Sequence, residues 1–507
     1  RYKKVLKQRD AILADAEKKA AQILADAKEQ YEAMLEENNI TQEAYQHAEH
    51  TLQEANTEAD TIVDEAHAQA EEIGAGAIYY TDELLEKAEK SIRSAYETFA
   101  KQARELEAVL QDHGYRELDI GECWDLTAGG RYYVKPYSSM MVAFAAGEMP
   151  EYGRLNIGLA HTDFPMLKIK TQPDMNRSGY QTLNVEPYGG LIKETWFDRP
   201  LGIAGKVMAQ TTDPFRPKTY LYDSERAMCI VPSLAPHLRK DAPGEKMNVQ
   251  KELIPVYGLD GQKVKDKDIL QYVADDLGLL KDDILDYDLY LYNMDGMEIV
   301  GADKDMIASP RLDNITSVSA LVDTMCRETN GNNTNVIALF DNEEIGSRSK
   351  QGADSVLLSE IIKRIMAGLD IEAGAGRRLM RDAFMLSLDV AHATHPNYSE
   401  KSDPTNQIVM GRGVALKSSA SQRYVSDSEA SAVIMALSRN QDIKIQRQVN
   451  RSGMAGGQTL GPIASSYLPV RAVDMGIPIL AMHSAVELGS AEDYAQLEKL
   501  CGAIFEM

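Results

Sequence analysis

The chain has 507 residues, and since domains average about 100–200 residues, two or three structural units are expected. Acidic residues outnumber basic residues by 78 to 54, and the resulting charge of -24 repels phosphate backbones, so no nucleic-acid partner is expected. No stretch approaches the roughly 20 apolar residues that cross a bilayer, and the N-terminus lacks the apolar core of a signal peptide. We therefore expect a soluble, cytoplasmic protein without a membrane span.

Residues 1–78 are predicted to form an alanine-rich, α-helical, coiled-coil-like arm, because they are dense in strong helix formers and almost free of Pro and Gly. Pairs of apolar residues that begin at Ile12, Ile23 and Met34 recur every eleven residues, a period that favours straight or right-handed packing of helices. The pattern slips near 38–41, so a helical hairpin and a kinked rod both fit. The arm is interpreted either as a solvated spacer or as an oligomerisation or docking arm.

From about residue 82 the sequence predicts a globular α/β body that opens with an amphipathic helix. Strand-like runs such as GGRYYVKPYSSMMVAFAAG and RLNIGLAHTDFPMLKIK alternate with helices predicted at 315–328, 353–368 and 428–438. This alternation is typical of an α/β layer architecture. Pro-containing turns and short alternating runs between about 167 and 297 indicate a β-rich insertion.

Acidic and histidine side chains follow several apolar runs, where α/β sheets bind ligands. His161 ends one run, and Asp163 lies two residues further, on the same face of an extended chain, so its carboxylate can hold the imidazole in one tautomer. The alternative for His161 is a structural core histidine. Asp313 precedes a predicted helix, which it could equally cap.

The segment NVIALFDNEEIGS is more informative, because its apolar run ends in Asp341, Glu343 and Glu344. Adjacent carboxylates at the mouth of a buried strand repel one another unless a cation compensates them. A metal site is therefore favoured here over a solvated loop.

Further apolar runs end at Asp389, with His392 and His395 beyond it, and at His483. One cluster is predicted from these positions together: His161, Asp313, Glu343, Glu344, Asp389 and His483. Two histidines and three or four carboxylates suit two divalent ions about 3.5–4 Å apart, with one bridging carboxylate and one left to handle protons.

The motifs HTDFP, VEPYGGLIKETWFDRPLGIAGKV, PRLDN, DNEEIGS, DVAHATHPNY, QRY, TLGPI and MHSAVE follow the order and spacing of one family. Over about 85–507 the chain resembles the aspartyl aminopeptidase / aminopeptidase I family of dinuclear zinc metallopeptidases; the arm at 1–78 lies outside the resemblance. The resemblance implies a zinc-exopeptidase-like catalytic domain with a mixed sheet between helices, in two parts at 82–164 and 298–507. An inserted β-rich dimerisation domain at 165–297 would separate them. Peptide substrates, dimers and tetrahedral dodecamers are implied as well.

The resemblance also implies two divalent metal ions per subunit, with zinc expected, and manganese or cobalt compatible with such carboxylate-rich sites. The implied roles are these: His161 and Asp389 bind one ion, Glu344 and His483 bind the other, Asp313 bridges both, Asp163 orients His161, and Glu343 is the general base.

Three residues are candidates for substrate binding. His237 matches a family histidine that reaches from the dimer partner into the neighbouring active site; the alternative is a loop histidine of the insertion. Lys417 matches a family lysine near the substrate pocket and could pair with an acidic side chain, or it could be a surface lysine. His395 is the third candidate. An acidic and a neutral or apolar N-terminal residue both stay open as the preferred substrate.

The chain departs from the family pattern at Phe164, where serine is usual, at Gly453, where aspartate is common, and at Gln458. All five implied metal ligands are present. We therefore expect a metal-dependent aminopeptidase. The alternative is a weak or inactive peptidase-fold assembly that acts as a scaffold or tethered interaction protein through its arm.

Overall fold

A computed structural model describes residues 2–36, 45, 47–69, 99–238, 247–259, 267–327, 331–454 and 456–506. The chain divides into two compact units, Arg1–Lys87 and Ala88–Met507. The break predicted near 38–41 and the start of the amphipathic helix predicted from about residue 82 lie outside the described residues. Within the described ranges, no helix is both long enough and apolar enough to cross a bilayer.

The described part of the N-terminal unit forms two helices, α1 at Tyr2–Glu36 and α2 at residues 47–69, which confirms the helical prediction for these ranges. Among the side chains whose burial the structure describes in these helices, the buried ones are alanines: Ala16, Ala20, Ala27, Ala48, Ala55, Ala59 and Ala66. Several of these alanines lie eleven residues apart, as Ala16 and Ala27 do. The buried alanines of each helix therefore lie along one face of that helix. The predicted eleven-residue period thus describes burial in both helices, whereas coiled-coil pairing stays a prediction.

The helices of the second unit are α3 (Phe99–Asp112), α4 (Val249–Glu252), α5 (Ile269–Leu277), α6 (Leu312–Cys326), α7 (Leu357–Gly368), α8 (Ala373–Asp382), α9 (Ser428–Gln441), α10 (Leu460–Ser465) and α11 (Ala491–Phe505). Local chemistry accounts for several of the ends. Asp268 caps α5 by accepting the backbone N–H of Gln271 at 2.9 Å, and Gly278 ends it with a φ of 66°.

The strands are β1 (Arg116–Leu118), β2 (Arg131–Tyr137), β3 (Met140–Ala145), β4 (Leu155–His161), β5 (Met166–Arg177), β6 (Tyr180–Tyr188), β7 (Leu201–Ala209), β8 (Lys218–Asp223), β9 (Val256–Leu259), β10 (Ile284–Asn293), β11 (Glu298–Val300), β12 (Met306–Ser309), β13 (Thr334–Phe340), β14 (Phe384–Leu388), β15 (Ala391–His392), β16 (Val414–Ser418), β17 (Ile445–Val449), β18 (Arg471–Gly476), β19 (Pro478–Ile479) and β20 (Glu487–Ser490).

A nine-stranded mixed sheet organises the body, in the order β1-β2-β3-β13-β4-β14-β18-β16-β17. Its central strands β13, β4, β14 and β18 are parallel, whereas β16 runs antiparallel to β18. Every residue of β4 and β13 is buried, as expected for parallel strands that are covered on both faces. The carboxyl ends of the central strands therefore meet at one edge of the sheet.

A six-stranded sheet, in the order β8-β7-β10-β5-β6-β9, uses only strands that lie between Met166 and Asn293. Its buried face forms a separate apolar core, in which Leu167, Ile203 and Leu289 are fully enclosed. Two small sheets complete the body, one formed by β11, β12 and β20 and the other by β15 and β19. The α/β architecture with a mixed sheet is confirmed.

Candidate metal centre

Three parallel strands deliver side chains to the same edge of the large sheet. His161 is the last residue of β4, and Asp389 immediately follows β14. A short 3-10 turn, Glu343–Ile345, begins three residues after the end of β13. Since β13 and β14 both pair in parallel with β4, these carboxyl ends are neighbours, as the sequence pattern predicts.

Asp313 lies between two imidazoles. Its Oδ1 is 3.4 Å from His161 Nε2, and its Oδ2 is 3.3 Å from His483 Nε2. Asp313 itself has non-helical backbone angles, and the N-cap position of α6 is Arg311. The carboxylate of Asp313 thus faces the cluster and does not cap the helix, so that alternative is wrong.

The remaining implied ligands join the same group. Glu344 Oε2 lies 3.4 Å from His483 Nε2, and Asp389 Oδ1 lies 3.7 Å from His161 Nε2. Potential ligand atoms of His161, Asp313 and Glu344 all lie within 4.8 Å of one another. The structure therefore brings together all five side chains that the resemblance implies as ligands.

Asp163 contacts the centre through both its main chain and its side chain. The ring Nδ1 of His161 lies 3.0 Å from the backbone carbonyl of Asp163 and 3.5 Å from its carboxylate. The carboxylate accepts the backbone N–H groups of Glu343 and Glu344, each at 3.1 Å, and the hydroxyl of Tyr188 at 2.8 Å. The imidazole of His161 is therefore nearer the main-chain carbonyl of Asp163 than its carboxylate, and the same carboxylate holds the turn that contains both glutamates.

Burial and neighbouring charges act strongly on the acidic side chains of this group. Burial, followed by the nearby carboxylates of Asp389, Asp163 and Asp313, raises the pKa of Glu343 to about 8. Burial and the charge of Asp313 likewise raise the pKa of Glu344 well above its usual value. Burial also acts on Asp313, but the two nearby imidazoles of His161 and His483 outweigh it and lower its pKa.

The donor set fits divalent metal ions. Asp313 Oδ1 is buried and accepts no hydrogen bond from the residues the structure describes, which leaves it free to bind a cation. Imidazole nitrogens and carboxylate oxygens are the ligands of catalytic zinc, and a carboxylate between two histidines suits a bridge. A bound cation would also offset the repulsion that raises the pKa of both glutamates.

Glu487 is a further residue of the centre that the sequence did not single out. Its carboxylate accepts the backbone N–H of Asp313 at 2.9 Å and that of His483 at 2.6 Å. Burial, followed by the charge of Asp313, raises the pKa of Glu487 to about 8. Glu487 lies in the sequence motif MHSAVE, four residues after His483. Its contact with Asp313, which is 174 positions away in the chain, depends on the tertiary fold.

The three candidate substrate residues lie in different surroundings. Lys417 is 2% exposed, and its Nζ lies 3.7 Å from Asp389 Oδ2, so the surface-lysine alternative is wrong. His395 lines a cavity of about 520 Å³ that also includes His392. His237 lies in an exposed turn, Pro236–Leu238, and no hydrogen bond or ion pair within the described ranges joins it to the cluster.

Phe164 is an integral part of the packing beside the centre. It is 8% exposed, belongs to the core of the six-stranded sheet, and stacks against the guanidinium of Arg311 at 4.2 Å from the ring centroid. Gly453 adopts a φ of 84°, and a Cβ there would meet nothing within 4 Å. The space for a side chain exists at that position, but the backbone conformation favours glycine.

Comparison with known proteins agrees with this geometry. Residues 91–505 match the family model described as aminopeptidase I zinc metalloprotease (M18). A protein of Clostridium novyi named probable M18 family aminopeptidase 2 is 39% identical over 424 residues, which cover 82% of this chain and 96% of that protein.

Solved structures show the same fold. The cryo-EM structure of a complex of Ape4 and Nbr1 superposes with a TM-score of 0.78 at 29% identity, covering 83% of this chain and 85% of that one. The structure of the S. cerevisiae mApe1 dodecamer superposes with a TM-score of 0.69 at 23% identity, covering 84% of this chain and 97% of that one. These relatives favour the aminopeptidase over the scaffold alternative. The chain belongs to the aminopeptidase I family of zinc metalloproteases, M18, and thereby to the metal-dependent aminopeptidases.

Proposed function

We propose that the chain removes N-terminal amino acids from peptides at a dinuclear metal centre. In this proposal His161 and Asp389 hold one divalent ion, Glu344 and His483 hold the second, and Asp313 contacts both. Glu343 is the general base. Zinc is the proposed metal at both positions.

The single observation that carries the proposal is the position of Asp313. One carboxylate presents a different oxygen to each of two histidines, at 3.4 Å and 3.3 Å. A carboxylate in this position supports two ions held side by side, as dinuclear hydrolases require. Glu343 is not one of the five proposed ligands, and the charges of His161, Asp389 and Asp313 act on its carboxyl group, so it is proposed to serve in proton transfer.

When bound, divalent ions at such a site lower the pKa of water and polarise the scissile carbonyl. Glu343 takes a proton from the attacking water and delivers it to the leaving amine. Asp163 and Glu487 hold the turn and the ligands in place through backbone hydrogen bonds.

Hydrolysis of a panel of aminoacyl substrates tests the proposal. The panel includes Asp, Glu, Leu, Met and Lys, assayed before and after metal stripping and after zinc, manganese or cobalt is restored. We expect release of amino acids that disappears on stripping and returns with metal. A folded, metal-loaded protein that cleaves none of the substrates would exclude the activity.

Substrate preference is part of the same test. Lys417 is proposed to influence which N-terminal residue of the substrate is preferred. Its position beside the proposed ligand Asp389 supports this role. His395 is proposed to contact substrate because it lines the adjoining cavity. His237 is proposed to act in the active site of a dimer partner. The exposed position of its turn, where a partner could reach it, supports this proposal. Strong cleavage of Asp and Glu substrates would favour acidic recognition by Lys417.

Self-association is proposed as well, through a dimer that uses the six-stranded sheet. Further assembly to a dodecamer is proposed because the related mApe1 structure is a dodecamer. The arm is proposed to bind a protein partner or to support assembly. Light scattering of the full chain tests the mass of the particle, and fractionation tests the proposed cytoplasmic location.

A further inference from the structure

A cavity of about 330 Å³ lies between the six-stranded sheet and the segment that follows β13. Among the described residues it shares none of its lining with the cavity that contains His395, and none of the five proposed metal ligands lines it. Pockets of roughly 300–1,000 Å³ hold small-molecule ligands. The cavity is therefore a candidate binding site apart from the metal centre.

One wall of the cavity belongs to four neighbouring strands of the six-stranded sheet. Residues two apart in a strand lie on the same face of the sheet, so alternate residues of these strands line the cavity. They are Met166 and Lys168 of β5, Glu186 and Tyr188 of β6, Ala204 and Lys206 of β7, and Asp288, Tyr290 and Tyr292 of β10. The rest of the lining includes Asp341, Asn342 and Ile345, which follow β13. The cavity thus lies between the β-rich insertion and the segment that contains the proposed base.

The sheet side of the cavity is aromatic. The rings of Tyr188 and Tyr290 lie edge to face, with their centroids 5.5 Å apart and their planes at 79°. The ammonium group of Lys168 lies over the ring of Tyr290, 5.7 Å from its centroid. Faces of aromatic rings attract cations within about 6 Å. This side of the cavity therefore suits a ligand that combines apolar surface with positive charge.

Negative charge predominates in the lining. Four carboxylates and two ammonium groups contribute to it: Asp163, Glu186, Asp288 and Asp341, with Lys168 and Lys206. Asp288 pairs with both lysines, at 2.7 Å and 3.1 Å. An anionic ligand would add to the excess of negative charge, whereas a cation would reduce it.

Asp341 is the partly buried carboxylate of this lining that lacks a positively charged partner. Asp163 already accepts three hydrogen bonds, and Glu186 is exposed to water. The hydrogen bond from Gln351 to Asp341 Oδ2 is long, at 3.4 Å, and no lysine, arginine or histidine of the described ranges forms an ion pair with this carboxylate. Burial, followed by the charge of Asp163, raises the pKa of Asp341 to about 6, so the group still carries negative charge at neutral pH.

The carboxylate and the aromatic wall are joined by one amide. The side-chain N–H₂ of Asn342 donates to Asp341 Oδ1 at 3.1 Å and to the hydroxyl of Tyr188 at 2.8 Å. Asp341 and Tyr188 are therefore close enough for one small ligand to contact both.

We propose that this cavity binds a small organic ammonium ion. Its charged group pairs with Asp341, and its apolar part lies against Tyr188 and Tyr290. The site lies outside the proposed catalytic centre, so the inference does not depend on the aminopeptidase activity.

Calorimetry of the full chain tests the site with 2-phenylethylamine and n-butylamine, each compared with the alcohol of the same carbon skeleton. We expect both amines to bind, and both alcohols to bind about 10- to 100-fold more weakly, the range for one hydrogen bond to a charged group. Nα-acetyl-lysine methylamide, which carries the same butylammonium group, identifies the source of the ligand. Binding as tight as that of n-butylamine supports a site that also takes lysine side chains, and weaker binding supports a site for free amines.

Two variants locate the bound amine. Asp341→Asn keeps the size of the side chain and removes its charge, so the Kd of both amines should rise about 10- to 100-fold. Tyr290→Leu keeps an apolar side chain and removes the aromatic face, so the Kd should rise about 2- to 5-fold. Asp303→Asn, in an exposed turn, is the matched control and should bind the amines as the wild type does.

Three results would overturn the proposal: no binding of either amine by the wild type, equal binding of amines and alcohols, or a Kd that Asp341→Asn leaves unchanged. Thermal unfolding without ligand shows whether each variant is folded. If Asp341→Asn is not folded, the Kd of the amines in Tyr290→Leu decides, and an unchanged value there contradicts the proposal.

Discussion

The carboxylate of Asp163 accepts the backbone N–H of Glu343 at 3.1 Å, although the two residues are 180 positions apart in the chain. Its other oxygen accepts the N–H of Glu344, also at 3.1 Å. One side chain thus holds the proposed base and a proposed ligand in a single turn.

Replacing Asp163 should therefore weaken the centre without removing any ligand. In Asp163→Asn only one side-chain oxygen remains to accept the two N–H groups, so we expect activity or metal affinity to fall about 10- to 100-fold. Steady-state kinetics and metal analysis of the same samples measure both effects. Asp303→Asn, in an exposed turn, is the control. Unchanged kinetics with full metal content would show that the turn does not need Asp163.

Glu343→Gln tests the role of the base. The variant keeps the shape of the side chain but cannot take a proton, so we expect kcat to fall about 10²- to 10⁴-fold while metal content stays at the wild-type level. Elemental analysis and kinetics check the two halves of this expectation. Glu360→Gln, on the exposed side of α7, should behave as the wild type. Wild-type turnover by the Glu343 variant would remove the general-base assignment.

Much of the centre could be predicted because it follows local sequence signals. His161 ends the buried strand β4, Asp389 directly follows β14, and Glu344 lies four residues after β13. Parallel strands bring such positions together at one edge of a sheet. Asp313 was ambiguous, because its position before a helix also suits a cap. Only the tertiary structure shows that its carboxylate lies between two histidines.

The remaining features depend on contacts that no local pattern encodes. Glu487 acts through backbone N–H groups, which look the same in every residue. Lys417 is buried because β16 lies inside the large sheet, between β18 and β17, and a single lysine in the sequence VALKS does not reveal this. His237 would act on another subunit, so its proposed role cannot be read from one chain.

Phe164→Ser restores the residue that the family usually has, yet we expect it to destabilise this chain. Phe164 is 8% exposed and stacks on Arg311, and removing a large aromatic side chain from a core costs about 3–5 kcal/mol. Thermal unfolding should show a lower Tm. Phe215→Ser is the matched control, because Phe215 is 95% exposed and should leave the Tm unchanged. An unaltered Tm in Phe164→Ser would mean that the site repacks around serine.

Deleting residues 1–78 separates the arm from catalysis. The family match begins at residue 91, and the proposed ligands all lie beyond it, so we expect kcat/KM per subunit to equal that of the full chain. Light scattering of the same sample reports assembly. Unchanged turnover with an altered mass would assign the arm to assembly, and unchanged turnover and mass would favour docking of a partner. Loss of turnover in a correctly assembled particle would show that the arm contributes to catalysis.

Asp493 should make stability depend on pH, independently of the metal centre. This residue of α11 is fully buried and accepts the backbone N–H groups of Gly411 and Gly413, each at 2.6 Å. Burial is the largest influence and, despite these hydrogen bonds, raises its pKa from 3.8 to about 7. An acid whose pKa is higher in the folded state stabilises the fold below the unfolded pKa. That contribution is lost as the pH rises through the folded value.

Asp493→Asn removes the titration but leaves only one oxygen to accept the two N–H groups at any pH. Its stability relative to the wild type should therefore rise between pH 4 and pH values above 7, by at most about 4 kcal/mol for a shift of roughly three pKa units. Urea unfolding midpoints across this range measure the difference, with Asp303→Asn as the exposed control. A stability difference that does not grow with pH would mean that Asp493 stays ionised in the fold, held by its two backbone hydrogen bonds.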